Sequence, residues 1–157
     1  VYKAEDRSGL TRIATRLFKE SDLILAQEFL YTAFDWRIGI LGRKPFYACK
    51  YLMSRDHWQI VKHESDGRHV EGGFETLPVE EVPRAVIRTA LRAADLIGDG
   101  LYGVDLKETP AGPVVIEVND NPTLDAGVED GVMGDQLYAR FMAEMVERLD
   151  RRRIKKV

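Results

Sequence analysis

The chain has 157 residues, 45% of them hydrophobic, which suffices to bury a core in one domain-sized unit and excludes disorder as its overall state. Its 23 Lys and Arg against 26 Asp and Glu leave a formal net charge of -3, so there is no global cationic field for nucleic acid or an anionic membrane. A single cysteine, Cys49, excludes an internal disulfide framework, and no run approaches the roughly 20 apolar residues of a bilayer span. A cytoplasmic location is the expectation. The first residue is not Met, and Val1-Tyr2-Lys3 reads as the middle of a strand, so a piece of something longer is expected.

In chain order, Leu10, Ile13, Ala14, Leu17 and Phe18 fall at three- and four-residue spacings and predict a short amphipathic helix over 8–19, capped by Ser8. Residues 23–30 are mostly apolar and too few for a stable helix, which predicts a buried strand. Residues 35–51 alternate about Gly42-Arg43, the pattern of a hairpin with a two-residue turn. A further strand is expected over 58–63, and an exposed loop over 64–77, where Gly67, Gly72 and Gly73 stand among charges. Pro83 opens a helix through Val86, Ile87, Ala90, Leu91, Ala94 and Ile97, stopped by Gly98 and Gly100. Residues 101–107 and 114–119 form a second hairpin across Pro110-Ala111-Gly112-Pro113. Met133, Leu137, Phe141, Met145 and Leu149 make one face of a last helix, with Met133, Met142 and Met145 as core packing. The expected class is α+β: an antiparallel β-sheet packed by helices, in a single domain over 1–157.

Alternation on the late hairpin puts Tyr102, Val104, Leu106, Val114, Ile116 and Val118 on an apolar side. Gly103, Asp105, Lys107, Val115, Glu117 and Asn119 take the other. With the turn centred near Ala111, Asp105 stands directly across from Glu117, and like charges so placed destabilise a sheet unless something neutralises them. Either Lys107 offsets one carboxylate on a solvated face, or the two carboxylates and the Asn119 amide oxygen form an open site for magnesium, a hard cation that takes oxygen ligands. Asn119-Asp120-Asn121-Pro122 then leaves the strand abruptly into a polar loop, a common position for functional residues.

On the early hairpin, simple alternation predicts an apolar side of Trp36, Ile38, Ile40, Tyr47, Cys49 and Tyr51. Asp35, Arg37, Gly39, Ala48 and Lys50 share the other, with Asp35 opposite Lys50. Gly39 and Ala48 would leave room above the sheet for a flat or anionic ligand rimmed by Arg37 and Lys50. His57, His63 and His69 recur every six residues, but with one thiol in the chain no four-ligand zinc pattern forms.

Gly103-Val104-Asp105-Leu106, followed by Ile116-Glu117-Val118-Asn119 and Asp120-Asn121-Pro122, resembles the ATP-grasp ligases, in which an Asp on one strand and a Glu-x-Asn on the next bind magnesium ions that bridge nucleotide phosphates. Within that superfamily the text is most similar to the glutathione synthase and ribosomal-protein glutamate ligase (RimK-like) branch, and the resemblance runs over about 25–129. It implies the C-terminal portion of an ATP-grasp fold, with Asp105, Glu117 and Asn119 as magnesium ligands and manganese as a substitute ion. Gln27, Glu28, Phe29 and Leu30 would contact the nucleotide, the Glu28 carbonyl and Leu30 amide holding adenine. Asp35 would lie near the ribose, Arg37 of Asp35-Trp36-Arg37 would face the phosphates, and Lys50 would be a cation beside it. Asn121 would border the substrate.

The family's upstream lysine-bearing strand and Gly/Ser-rich phosphate loop have no counterpart in this text, so the chain alone is expected to be inactive. The implied partners are ATP with a carboxylate and an amine, an amino acid or peptide, joined as an amide through an acylphosphate. A non-catalytic nucleotide-sensing or interaction module on the same fold is the competing expectation. Self-association through an uncovered sheet edge is expected as well.

Overall fold

The computed structural model describes residues 1–53, 61–63, 69–71 and 73–154. It divides into two compact units, Val1–Tyr31 and Thr32–Val157. The first holds helix α1 (Arg7–Leu17). Its cap is Asp6, not Ser8: the Asp6 carboxylate accepts from the Gly9 amide at 2.6 Å and the Ser8 hydroxyl at 2.9 Å. A charged acceptor at a helix N-terminus satisfies an orphan amide and complements the helix dipole, and these bonds lower the Asp6 pKa. Neither residues 1–3 nor residues 23–30 form a strand, and Leu23 and Leu25 are 84% and 87% exposed. Their unit contains no strand, so this backbone has no ladder to join within it.

The second unit is built on a five-stranded antiparallel sheet in the order β5-β2-β1-β6-β7. Its strands are β1 (Phe34–Leu41), β2 (Lys44–Leu52), β5 (Phe74–Leu77), β6 (Leu101–Thr109) and β7 (Gly112–Asn119). β3 (Val61–His63) and β4 (His69–Glu71) pair separately. The loop expected over 64–77 is thus replaced, among its described residues, by β4 and by β5 on the sheet edge. His57 and the remainder of the strand expected over 58–63 lie outside the described residues.

The predicted turn forms with φ of 57° at Gly42 and 65° at Arg43, the two left-handed positions of a type I′ hairpin. Register then departs from simple alternation. Gly39 faces Tyr47 but Ile40 faces Pro45, so Phe46 is an extra residue beside a proline that has no N–H to give the ladder. Trp36, not Asp35, therefore stands opposite Lys50, and Asp35 faces Tyr51. A one-residue slip moves side chains to the other face, so Ala48 joins Trp36, Ile38 and Ile40, while Tyr47 and Cys49 join Leu41. The late hairpin carries a second bulge, with Asp105 facing Glu117 but Leu106 facing Val115. Val115 consequently packs on the core, whereas Val114 pairs with Lys107 and is 40% exposed.

Helix α2 (Arg84–Asp95) covers the first face, Val86, Ala90 and Ala94 packing against Trp36, Ile38, Ile40, Val104 and Leu106. Leu124, Met133 and the α3 helix (Asp135–Ile154) cover Leu41, Phe46, Tyr47 and Cys49 on the second through Leu137, Phe141 and Met145. Burial on both faces explains why β1 is nearly continuously buried. Met142 points away from this core and is 58% exposed, contrary to the expected methionine stripe. No described helix is long and apolar enough to cross a membrane.

Candidate functional site

The second face of the sheet brings together polar residues from four strands. Asp105 and Glu117 are directly opposed across β6 and β7, and Asn119 is opposed to Gly103, as alternation predicts. Arg37 stands opposite Asp105 on β1 and forks onto it, Nε to Oδ1 at 2.8 Å and Nη2 to Oδ2 at 2.9 Å. The pair is only about one-fifth exposed, with 21% for each side chain, and the bond to Asp105 holds the Arg37 guanidinium above its already high ordinary pKa. Lys107 turns to Asp35 at 2.5 Å instead of offsetting Glu117, and Thr32 donates to the same Asp35 oxygen at 2.9 Å. Glu117 remains exposed at the outer strand. Asn119 Oδ1 accepts from the Asn121 amide at 2.9 Å, a local bond that turns the chain out of β7.

This donor set suits a hard divalent cation. The two opposed carboxylates and the neighbouring amide are all oxygen donors, and a carboxylate oxygen that accepts one hydrogen bond keeps further lone-pair capacity. Among the described residues no three or more His, Cys, Asp and Glu side chains are grouped so as to hold a metal ion, so a cation here would need Asn119, water or substrate oxygens to complete its shell.

Two expectations about the early hairpin are corrected. The space above Gly39 is taken by the Tyr47 ring, which a Cβ at Gly39 would overlap, and Ala48 lies in the opposite core, so no open shelf exists there. Lys50 is not beside Arg37. It lies with Trp36 on the α2 face, its ammonium 5.2 Å from the Trp36 ring centroid and 5.4 Å from that of Phe34, and it pairs with Glu75 at 2.9 Å. The bulge at Phe46 is the cause of both. Gln27, Glu28, Phe29 and Leu30 belong to the first unit, where Gln27, Glu28 and Phe29 are exposed and Lys3 sits over the Phe29 ring at 4.3 Å.

Three residues of this face were not singled out from sequence. Tyr51 places its ring 5.0 Å from the Arg37 guanidinium carbon. Its hydroxyl donates to Glu129 at 2.5 Å, and Glu129, 1% exposed, is the one buried charged side chain among the described residues. The Tyr47 hydroxyl is buried without a hydrogen-bond partner among the described residues, close to Gly103 and Pro122. Burial first, and the Glu129 charge next, raise its pKa. The aromatic residues were legible only as core, because alternation without the bulge put them on the other face.

The antiparallel five-stranded sheet with helices on its faces has counterparts among solved ligases. D-alanine–D-alanine ligase from Bacillus anthracis matches the fold over 100% of this chain and 51% of its own, with a TM-score of 0.62 at 15% identity. The same ligase complexed with ATP matches over 97% and 50%, with a TM-score of 0.61. In sequence the chain is similar to a probable alpha-L-glutamate ligase from Shewanella denitrificans, 32% identical over 150 residues, 94% of this chain and 47% of that protein. The chain thus spans about half the length of such a relative. No protein-family model matches it. The chain carries the ATP-grasp fold expected from Asp105 and Glu117-Val118-Asn119, and in sequence it resembles the alpha-L-glutamate ligases.

Proposed function

We propose that the chain is the nucleotide- and magnesium-binding part of an ATP-dependent carboxylate–amine ligase. The observation that carries this reading is the opposition of Asp105 to Glu117, with Asn119 two residues on, on one face of an ATP-grasp sheet. Those three residues would hold magnesium, or manganese in its place, and the ion when bound supplies positive charge against the phosphoryl group in transfer. Arg37 carries a planar fork suited to phosphate oxygens, and would stabilise the nucleotide phosphates and the acylphosphate formed on the carboxylate substrate. Asn121, exposed just past Asn119, borders the substrate.

The remaining nucleotide contacts rest on the resemblance. Within the second unit, ribose hydroxyls would share the Asp35 carboxylate with Lys107 and Thr32. Glutamate is the first amino acid to offer, because the sequence relatives are named glutamate ligases. In the full-length protein, supplied with ATP, magnesium and a glutamate-containing substrate pair, Glu117→Gln and Asp105→Asn should each abolish magnesium-dependent ADP formation while leaving the far-ultraviolet circular dichroism intact. Unchanged turnover in both variants overturns the assignment.

A further inference from the structure

Residues 120–134 fold back over the sheet and are tied to it at two points. Glu129 Oε1 accepts from the Tyr51 hydroxyl of β2, while its Oε2 accepts from the Asp125 amide within the loop itself at 2.8 Å. Thr76 of β5 donates to the Val128 carbonyl at 2.5 Å. Burying a carboxylate is costly, and two donors on one oxygen each are what make it tolerable. A connection that served only to reach α3 has no need of a buried charge. The donor from the sheet is also not an arbitrary one: the Tyr51 ring is the surface on which the Arg37 guanidinium rests, and Arg37 is in turn forked onto Asp105. One side chain therefore touches both the loop after the acidic hairpin and the β1 cation forked onto that hairpin.

We infer that Tyr51 and Glu129 are a positioning pair, Glu129 fastening the 120–134 loop to the Tyr51 hydroxyl while the Tyr51 ring holds Arg37 in line with Asp105. The inference rests on the reading of the Arg37–Asp105 face as the nucleotide site. Ring and hydroxyl do separable work, since a cation over an aromatic face needs only the ring, and the Glu129 bond needs only the hydroxyl. Glu129 and Tyr51 act through the loop and through Arg37, and neither needs to touch a reacting atom.

The test uses the full-length protein with two measurements, amide hydrogen exchange and calorimetric titration with magnesium-ATP. Tyr51→Phe and Glu129→Gln should each lower exchange protection of the amides over 125–129 by about tenfold or more, while amides of the β6–β7 hairpin keep theirs, which also certifies folding. Tyr51→Leu should loosen the loop equally and in addition weaken magnesium-ATP binding about tenfold relative to Tyr51→Phe, because only the leucine variant lacks the ring beneath Arg37. Unchanged loop protection in both Tyr51→Phe and Glu129→Gln overturns the latch, and equal magnesium-ATP affinity in the phenylalanine and leucine variants overturns the hold on Arg37. If the unaltered protein binds no magnesium-ATP, the nucleotide reading fails on its own, and the exchange measurement still decides the latch.

Discussion

Arg37 Nε and Nη2 lie 2.8 and 2.9 Å from the two carboxylate oxygens of Asp105, the residue that faces Glu117 on the next strand. The guanidinium thus provides the neutralisation that two opposed carboxylates require, from the same face a divalent cation would use.

Removing that fork should make the chain depend on an external cation. Arg37→Met leaves Asp105 and Glu117 opposed without compensation, a loss of about 2 kcal/mol for a charge-assisted pair. In a chain of this size that lowers Tm by roughly 4–8 °C. Excess magnesium should recover part of the loss in Arg37→Met and change the unaltered chain little, in thermal melts followed by circular dichroism. A variant no more responsive to magnesium than its parent would show that no cation competes for the Asp105 carboxylate.

Gly39 is required by the Tyr47 ring, not by a turn. A Cβ at Gly39 overlaps that ring, so Gly39→Ala should cost about 1–3 kcal/mol by overpacking. Repeating the substitution in a Tyr47→Leu background tests the cause by a double-mutant cycle, in which the alanine penalty should shrink by at least about 0.5 kcal/mol. Strict additivity would place the strain elsewhere.

The Tyr47 hydroxyl is buried and has no partner among the described residues, a cost of roughly 1–3 kcal/mol for such a group. Tyr47→Phe deletes it with the ring retained, and should leave Tm unchanged or raise it by about 2–4 °C per kcal/mol recovered. A marked fall in Tm would show that the hydroxyl is satisfied in solution.

Stability should fall on the alkaline side in two stages. Burial pushes the Cys49 thiol from its ordinary 9.0 up to about 11, so between those values the unfolded chain has released a proton that the folded chain retains. With fewer protons bound in the unfolded state, stability is full below pH 9.0 and declines toward about 11, with a slope of at most about 1.4 kcal/mol per pH unit for one group. Tyr51, raised chiefly by burial and then by its bond to Glu129, and Tyr47 add their own losses above their ordinary 10.0. Denaturant unfolding from pH 7 upward measures the curve, and Cys49→Ala should flatten it between about 9 and 10. An unaltered slope there would mean that the thiol titrates alike in both states.

The sequence by itself determined the elements set by local periodicity and the two strands that carry the carboxylate pair. α2, β6, β7 and the Gly42-Arg43 turn lie where apolar spacing, Pro83 and the glycines put them. Asp105 faces Glu117, as a turn centred near Ala111 would have it, but the tighter turn that pairs Thr109 with Gly112 reaches that register only through the extra residue Ile116. Tertiary structure decided what depends on the next neighbour. The Phe46 bulge turned Lys50 away from Arg37 and brought Tyr47 and Tyr51 to the site face. α3 and the 120–134 loop covered a face that alternation alone leaves to solvent. Residues 23–30 read as a buried strand because they are apolar, yet backbone becomes a strand only where a ladder exists to receive it. Period and turn symmetry are carried by neighbours in the chain, whereas bulges, covering layers and strand partners are settled only by packing among distant segments.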